Sequence, residues 1–136
     1  MWFLAGSYGD RVQRQCVAPA GRDLFIPVFD LWDTDGGPPP VVDHAYGSLV
    51  VDGASLQPDV IATPVPFTVT GAVLNGVTRR KEPKQVTVWG LWKLIPALPP
   101  GHHDLHVVAG DGSGFTLDVS YRLVVSKPGA GTITWP

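Results

Sequence analysis

The clearest alternation of apolar and polar residues runs through residues 114–126, GFTLDVSYRLVVS. Every second residue is apolar, from Phe115 to Val125, and the residues between them are polar except Val124. Because successive side chains of a β-strand point to opposite faces, this pattern predicts a strand with one face on a core. Burial of one face is typical of antiparallel sheets. We therefore predict that this segment is a central strand of such a sheet.

Shorter apolar segments predict the partners of this strand. Leu105 and Val107 share a face within residues 105–109, and a glycine-rich stretch joins this segment to the central strand as a hairpin. The spacing of the segments is close to the roughly 8–12 residues expected of a sandwich or barrel, and no helical period is present. The sequence of 136 residues therefore predicts a single all-β domain. The predicted fold is an antiparallel two-sheet β-sandwich of immunoglobulin-like character, with a small closed β-barrel as the alternative.

The apolar run at residues 24–29 contains Pro27. Proline has no N–H to donate to a sheet, so this strand is expected to lie at an edge or to contain a bulge. An unpaired edge is a surface to which another chain can add a strand. The run therefore also supports a structural or assembly role.

Residues 85–95 form a second long strand in which both faces carry apolar side chains. Trp92 shares one face with Val86 and Val88, whereas Trp89 lies on the other, and Gly90 stands where the pattern changes. Glycine at such a point indicates a bulge or an exposed aromatic ledge. Core packing is the favoured interpretation of Trp92, whereas for Trp89 core packing and a role in ligand binding are about equally supported.

Residues 30–46, DLWDTDGGPPPVVDHAY, follow neither period, and we predict a long functional loop. Asp30, Asp33 and Asp35 lie within six residues, before Gly36-Gly37. Such a loop could supply oxygen ligands to Ca²⁺, although aspartate and glycine are also common turn residues. No cofactor other than this possible calcium ion is predicted.

Composition and charge narrow the classes of function. The formal net charge is −2, unlike the basic surface of a nucleic-acid-binding protein, and no apolar run is long enough to span a membrane. The positive cluster at residues 79–84 is predicted to be a solvated hairpin tip, and residues 132–135 a last edge strand. No nucleophile elbow and no phosphate-binding loop before a helix occurs. The single cysteine, Cys16, is predicted to be a buried thiol without an internal partner.

Several stretches are similar to a family of small, uncharacterised, mostly actinobacterial secreted β-sandwich proteins. The N-terminal residues WFLAG, the later CVAPAG and the following LFIP match its W-F-L-A-G…C-x-V-P-A-G-x-x-L-F-x-P pattern, except that Ala18 precedes the proline. Residues 98–106 and 115–121 resemble its L-x-P-G-x-H-x-x-H and F-S-L-D-V-T-Y motifs. The Pro-Gly-x-His turn also resembles bacterial immunoglobulin-like domains.

The resemblance implies a fold and a location, but it brings no established activity. Members usually carry a signal peptide and an upstream segment with a second cysteine, which implies a disulfide partner for Cys16. Residues 1–5 lack the basic region and the length of a signal peptide, which predicts a cytoplasmic protein if the chain is complete. The resemblance, by contrast, implies a secreted protein.

Three histidines near the Pro-Gly turn form a second possible metal site. His102 and His106 would share a strand face with Asp104, but zinc needs three or four ligands. The three histidines are His102, His103 and His106. The resemblance implies that two of them are typical of the fold. A structural or surface role is therefore favoured.

The leading hypothesis is a non-catalytic module that binds a small-molecule, carbohydrate or protein ligand through residues 30–46. Exposed tryptophan rings stack well on ligands, and Trp32 is the best candidate for exposure. The ligand-binding residues predicted on this hypothesis are Trp32, Trp89, Trp92 and His44.

The alternative is a cofactor-free enzyme that cyclises, isomerises or hydrates an apolar small molecule. A carboxylate desolvated among tryptophans has the raised pKa that acid–base catalysis uses. The predicted acid–base residues are Asp30, Asp33, Asp43 and His44. The sequence leaves the oligomeric state open.

Overall fold

The computed structural model describes residues 1–7, 9–63, 65–70 and 81–127, and these residues form strands and no helix. The strands are β1 (Trp2–Phe3), β2 (Asp10–Pro19), β3 (Leu24–Asp33), β4 (Tyr46–Val51), β5 (Ala54–Leu56), β6 (Asp59–Ala62), β7 (Phe67–Val69), β8 (Lys84–Ile95), β9 (Gly101–Gly110) and β10 (Thr116–Ser126). Arg79, Arg80 and the predicted last strand at 132–135 lie outside the described residues.

The strands form two sheets that pack face to face. The first sheet has the order β1-β3-β8-β6, with β7 also paired to β8, and the second has the order β2-β10-β9-β4-β5. This confirms the predicted all-β sandwich of two sheets, and the described strands do not close into a barrel. The pairing is mixed rather than wholly antiparallel, because β1 runs parallel to β3 and β2 runs parallel to β10. An immunoglobulin-like arrangement stays a prediction.

The predicted central strand lies in the middle of the second sheet, between β2 and β9. It pairs with β9 over a continuous register from Thr116↔Gly110 to Val125↔Gly101, which confirms the hairpin. Its alternate side chains fill the space between the sheets: Leu117, Val119, Tyr121, Leu123 and Val125. Apolar residues of β3, β4, β8 and β9 complete this core. Phe115 precedes the strand and stays partly exposed, with its ring edge-on to that of Phe29.

A bulge in β3 decides which of its side chains face outward. The register with β8 shifts between Pro27 and Phe29, so Val28 is the additional residue. Both Val28 and Phe29 are buried in the core. After the bulge, Asp30 and Trp32 therefore lie on the outer face of the first sheet. The predicted irregularity at Pro27 is thus a bulge, whereas the register of β8 continues unbroken through Gly90.

The strand β3 extends further than the sequence indicates. Residues 30–33 belong to it, and β4 begins at Tyr46, so the loop comprises residues 34–45 only. Nor is the run at 24–29 an edge over its whole length, because β1 pairs with Leu24 and Phe25. The predicted 30–46 loop is therefore corrected, whereas the prediction of an edge or a bulge at 24–29 is met by the bulge. The bulge also explains the wrong loop boundary, since it breaks the period just before Asp30.

Candidate ligand-binding cleft

The bulged part of β3 borders a cleft of about 590 Å³. Residues 4–7, which leave the first sheet after β1, form one side of it. Pro27 and residues 30–32 of β3 form another, and Arg14, Trp92 and Phe115 complete the lining. The cleft thus combines aromatic side chains with one acidic and one basic residue.

A smaller cavity of about 220 Å³ adjoins the cleft, and Trp32 and Trp92 line both. Its lining is almost wholly apolar, with Phe25, Ile61, Thr63 and Val88 as the other residues. Val88 pairs with Trp32 across the β8–β3 ladder, and Ile61 comes from β6. The outer face of the first sheet therefore offers a continuous aromatic surface at the end of the cleft.

The two indole rings are held by aromatic neighbours. Trp92 stacks on Phe25 with ring centroids 5.1 Å apart and an interplanar angle of 15°. The centroids of Trp32 and Phe67 are 6.1 Å apart. Room for the Trp92 ring comes from Gly90, because a Cβ atom there would lie 2.7 Å from Trp92 Nε1.

Asp30 is the acidic residue of the cleft. Trp32 Nε1–H donates a hydrogen bond of 2.6 Å to Asp30 Oδ2. Burial raises the pKa of the Asp30 carboxyl above its ordinary value, and the hydrogen bond from Trp32 opposes this only in part. Since desolvation penalises the charged form, Asp30 keeps its proton to a higher pH than an exposed carboxyl does.

Arg14 is the basic residue of the cleft, and it comes from β2 of the opposite sheet. Its Nη2 donates a hydrogen bond to the carbonyl oxygen of Gly6. Its Nε is buried and has no acceptor among the described residues. The guanidinium therefore enters the cleft with part of its hydrogen-bonding capacity unused.

Residues 4–7 are fixed to the body of the sandwich at two points. The Tyr121 hydroxyl donates a hydrogen bond of 2.7 Å to the Ala5 carbonyl, and Leu4 N–H donates one of 3.1 Å to the Phe25 carbonyl. Burial raises the pKa of Tyr121 to about 12, against the opposing charge of Arg14. The hydroxyl therefore remains a donor throughout the physiological pH range.

The structure brings together only part of the predicted site. Asp30, Trp32 and Trp92 line the cleft. Trp89 instead is buried in the core, where its ring lies edge-on to that of Phe29 at 6.4 Å. This corrects its assignment as a ligand-binding residue. Both faces of β8 are apolar, so the pattern alone could not identify the one that faces the core.

The predicted calcium site is not assembled. Asp33 Oδ1 accepts a hydrogen bond of 2.8 Å from the Asp35 backbone N–H, which makes a local turn, while Asp30 is bound to Trp32. Across the described segments, no three His, Cys, Asp or Glu side chains are grouped as metal ligands. Asp30 and Asp33 are three residues apart in β3 and therefore point to opposite faces, and Asp35 lies in the turn that follows.

Asp43 and His44 also lie away from the cleft. They are exposed in a turn before β4, closed by a hydrogen bond from Ala45 N–H to the Val42 carbonyl. His44 lies against the β9–β10 loop, where a Cβ atom at Gly112 would be 2.7 Å from the His44 carbonyl oxygen. Their predicted roles in acid–base chemistry and ligand binding are therefore corrected.

The histidines of β9 have protein partners. His103 Nδ1 lies 2.6 Å from Asp52 Oδ2, and its Nε2 lies 2.7 Å from the Pro99 carbonyl oxygen. His106 Nε2 lies 2.7 Å from Asp118 Oδ1. These contacts are structural, in agreement with the role favoured from the sequence.

Arg14, Phe115 and residues 4–7 were not identified as site residues from the sequence. Arg14 gave one signal, because it shares the strand phase of Val12 and Cys16, which pack against the core. A charge at such a position is unusual. The approach of residues 4–7 to β3 has no local signal.

Comparison with models of known protein families gives no match for this chain. A search of curated proteins likewise gives no match. The described residues contain no helix with the length and apolar character needed to cross a membrane.

Proposed function

We propose that this protein is a non-catalytic binding module and that the cleft binds a sugar. One observation carries the proposal: the indoles of Trp32 and Trp92 line the same cavity as Asp30 and Arg14. Aromatic faces pack against the C–H face of a sugar ring, and the charged side chains accept from and donate to its hydroxyls. This combination suits a ligand that has both a ring face and hydroxyls, as a sugar does.

An apolar ligand fits the cleft less well than a sugar. It would cover Asp30 and the guanidinium of Arg14 and give them no hydrogen-bond partners. Polar groups buried in this way cost roughly 1–3 kcal/mol each, and charged groups cost more. A ligand with both a ring face and hydroxyls avoids this cost. The volume of about 590 Å³ is also within the range typical of small-molecule sites.

A titration followed by tryptophan fluorescence tests the proposal. The ligands are glucose, galactose, N-acetylglucosamine, glucuronate and galacturonate, each added to the whole chain, with calorimetry as the second readout. At least one sugar should bind and change the emission. Trp32→Ala and Trp92→Ala should each weaken that binding by about tenfold, equivalent to about 1.4 kcal/mol.

Trp2→Ala is the matched control. Trp2 is a partly exposed indole in β1 of the same sheet, but it does not line the cleft. Its removal should leave the affinity unchanged. The proposal is overturned if no sugar of the panel binds, or if Trp32→Ala and Trp92→Ala bind as the unaltered protein does.

A cofactor-free enzyme is the second candidate, and the raised pKa of Asp30 inside a cleft favours it. A carboxyl whose pKa is raised keeps its proton to a higher pH and can act as a general acid. For a reducing sugar, Asp30 would donate its proton to the ring oxygen while water removes the proton of the anomeric hydroxyl. The ring opens, and closure on the other carbonyl face gives the second anomer.

Polarimetry tests this candidate with freshly dissolved α-anomers of the sugars in the panel. Catalysis predicts a faster approach to anomeric equilibrium, and Asp30→Asn should abolish the acceleration without abolishing binding. The candidate is rejected if the protein accelerates the equilibration of no sugar that it binds.

A further inference from the structure

We infer that the sugar bound in the cleft is acidic, and that its carboxylate pairs with Arg14. The inference deepens the proposed function and rests on it. Three observations support it: the position of Arg14, the lack of a counter-ion, and the unused donor on its guanidinium.

Arg14 occupies a position where a strand normally carries an apolar residue. It lies between Val12 and Cys16 on the face of β2 that turns toward the core, and both of these pack against the core. A half-buried guanidinium at such a position gives up part of its hydration. A partner of opposite charge would offset that loss.

No carboxylate of the described residues supplies this partner. Arg11, Lys93, His103 and His106 form ion pairs with described carboxylates, whereas Arg14 forms none with them. Arg14 makes its hydrogen bond to a neutral group, the carbonyl oxygen of Gly6. Asp30 lines the same cleft without pairing with Arg14. The Arg14 end of the cleft is therefore positive.

The guanidinium also has a donor to offer. Arg14 Nε is closed off from solvent and has no acceptor in the described part of the chain, which is an unfavourable state for a buried donor. Nε–H and one Nη–H lie on the same edge of a guanidinium. Carboxylates accept two parallel hydrogen bonds from this edge of arginine, whereas a sugar hydroxyl accepts fewer.

Asp30 orients such a ligand. With the carboxylate at Arg14 and the ring against the indoles, a hydroxyl of the sugar meets Asp30 elsewhere in the cleft. A protonated Asp30 donates to that hydroxyl and does not repel the anionic ligand. Binding of an acidic sugar should therefore strengthen as Asp30 gains its proton.

Matched pairs of sugars test the inference, namely glucuronate against glucose and galacturonate against galactose. Each pair differs in one carboxylate. The unaltered protein should bind at least one uronate about tenfold more tightly than its neutral partner, which corresponds to about 1.4 kcal/mol. Added NaCl should reduce this preference, because salt screens the ion pair.

Arg14→Gln should abolish the preference, because it should weaken uronate binding more than neutral-sugar binding, while Arg14→Lys should retain part of it. Arg11→Gln is the control, because Arg11 is an exposed arginine of the same strand and pairs with Asp118. It should keep the full preference. Circular dichroism shows whether each variant is folded. If a variant does not fold, the comparison of uronate with neutral sugar in the unaltered protein still tests the inference.

Equal affinity for uronate and neutral sugar in the unaltered protein overturns the inference but leaves the proposed function intact. The inference is likewise wrong if Arg14→Gln folds and keeps the preference. Failure of every sugar to bind overturns both. The three results differ and can be told apart in one set of titrations.

Discussion

The Tyr121 hydroxyl donates a 2.7 Å hydrogen bond to the Ala5 carbonyl, across a separation of 116 residues in sequence. Tyr121 is buried in the core, whereas Ala5 belongs to the exposed side of the cleft. Through this bond, the core fixes a part of the chain that is not in either sheet. The shape of the cleft therefore depends on a residue that does not line it.

Tyr121→Phe should lower both stability and sugar affinity. Phenylalanine fills the same space but leaves the Ala5 carbonyl without its donor, which costs about 0.5–1.5 kcal/mol. Urea unfolding measures the first effect and fluorescence titration the second. Tyr46→Phe, at a half-exposed tyrosine in β4, is the control and should change neither. Normal affinity in Tyr121→Phe would mean that residues 4–7 are held without this bond.

Gly90→Ala should disturb the cleft through the position of Trp92. The added Cβ would lie 2.5 Å from the Phe29 carbonyl oxygen and 2.7 Å from Trp92 Nε1, so the β3–β8 pair and the indole must both move. We expect a loss of about 1–3 kcal/mol in the free energy of unfolding, together with weaker sugar binding.

Gly47→Ala is the matched comparison for Gly90→Ala. Its Cβ would meet Val28 Cγ1 at 2.4 Å, on the core side of the sandwich and away from Trp92. It should also destabilise the fold, but the folded protein should keep its affinity. An equal loss of affinity in both variants would argue that general stability, not the Trp92 position, controls binding.

Asp30→Asn should stabilise the protein at neutral pH. In the unfolded chain Asp30 has its ordinary pKa of 3.8, whereas burial raises this pKa in the folded protein. As the pH rises above 3.8, the unfolded chain therefore loses the proton before the folded protein does. The ionised carboxyl therefore reduces stability above the folded-state pKa. Asparagine has no such charge and can still accept from Trp32.

Urea unfolding of Asp30→Asn and the unaltered protein at pH 4 and at pH 7 checks this expectation. The two should differ more at pH 7, with the variant the more stable. A variant that is less stable than the unaltered protein at pH 7 would show that the charge of Asp30 stabilises the fold.

The pair of His103 and Asp52 should make the free energy of unfolding decrease toward both high pH and low pH. Burial alone would lower the pKa of His103, but hydrogen bonds to Asp52 and Pro99 and the nearby negative charges raise it overall. Burial alone would raise the pKa of Asp52, but hydrogen bonds from His103 and the Asp104 N–H and the charge of His103 lower it overall.

The sign of each contribution follows from these directions. The contribution of His103 is complete below its ordinary pKa of 6.5 and is lost as the pH rises through its raised folded-state value. The contribution of Asp52 is complete above its ordinary pKa of 3.8 and is lost as the pH falls through its lowered value. The pair therefore stabilises the protein most between about pH 4 and pH 6.5.

Thermal unfolding from pH 5.5 to pH 8.5 measures the contribution of this pair. His103→Gln should be less stable than the unaltered protein at pH 5.5, and the difference should shrink as the pH rises. Asp52→Asn should remove the same contribution, so the double variant should lose little more than either single one. A constant difference across the range would rule out protonated His103 as the source.

Alternation in the sequence predicts burial well where one face alone is apolar. For β10, Leu117, Val119, Tyr121, Leu123 and Val125 are all buried, as predicted. The signal fails for β8, because the outer face carries Val86, Val88 and Trp92 and is as apolar as the core face. The apolar outer face of β8 thus hides the difference on which the prediction depends.

The direction of pairing and the contacts across the sandwich have no local signal either. Alternation reports which side of a strand is buried, whereas the parallel partners of β1 and β2 are distant in sequence. The bulge after Pro27 was predictable from proline, but its effect on Asp30 and Trp32 required the register. For this reason the sequence pointed to Trp32 but missed Arg14, which lines the same cleft.

The parallel pairing of β2 with β10 has a consequence for folding. Its ladder joins Asp10 to Leu117 and Pro19 to Ser126, residues roughly a hundred positions apart, whereas β9 and β10 are neighbours in sequence. Closing a long loop costs more entropy than closing a short one, so the β9–β10 hairpin should form first and β2 should join it late. Since Arg14 belongs to β2, the cleft should gain this side chain only in the late steps of folding.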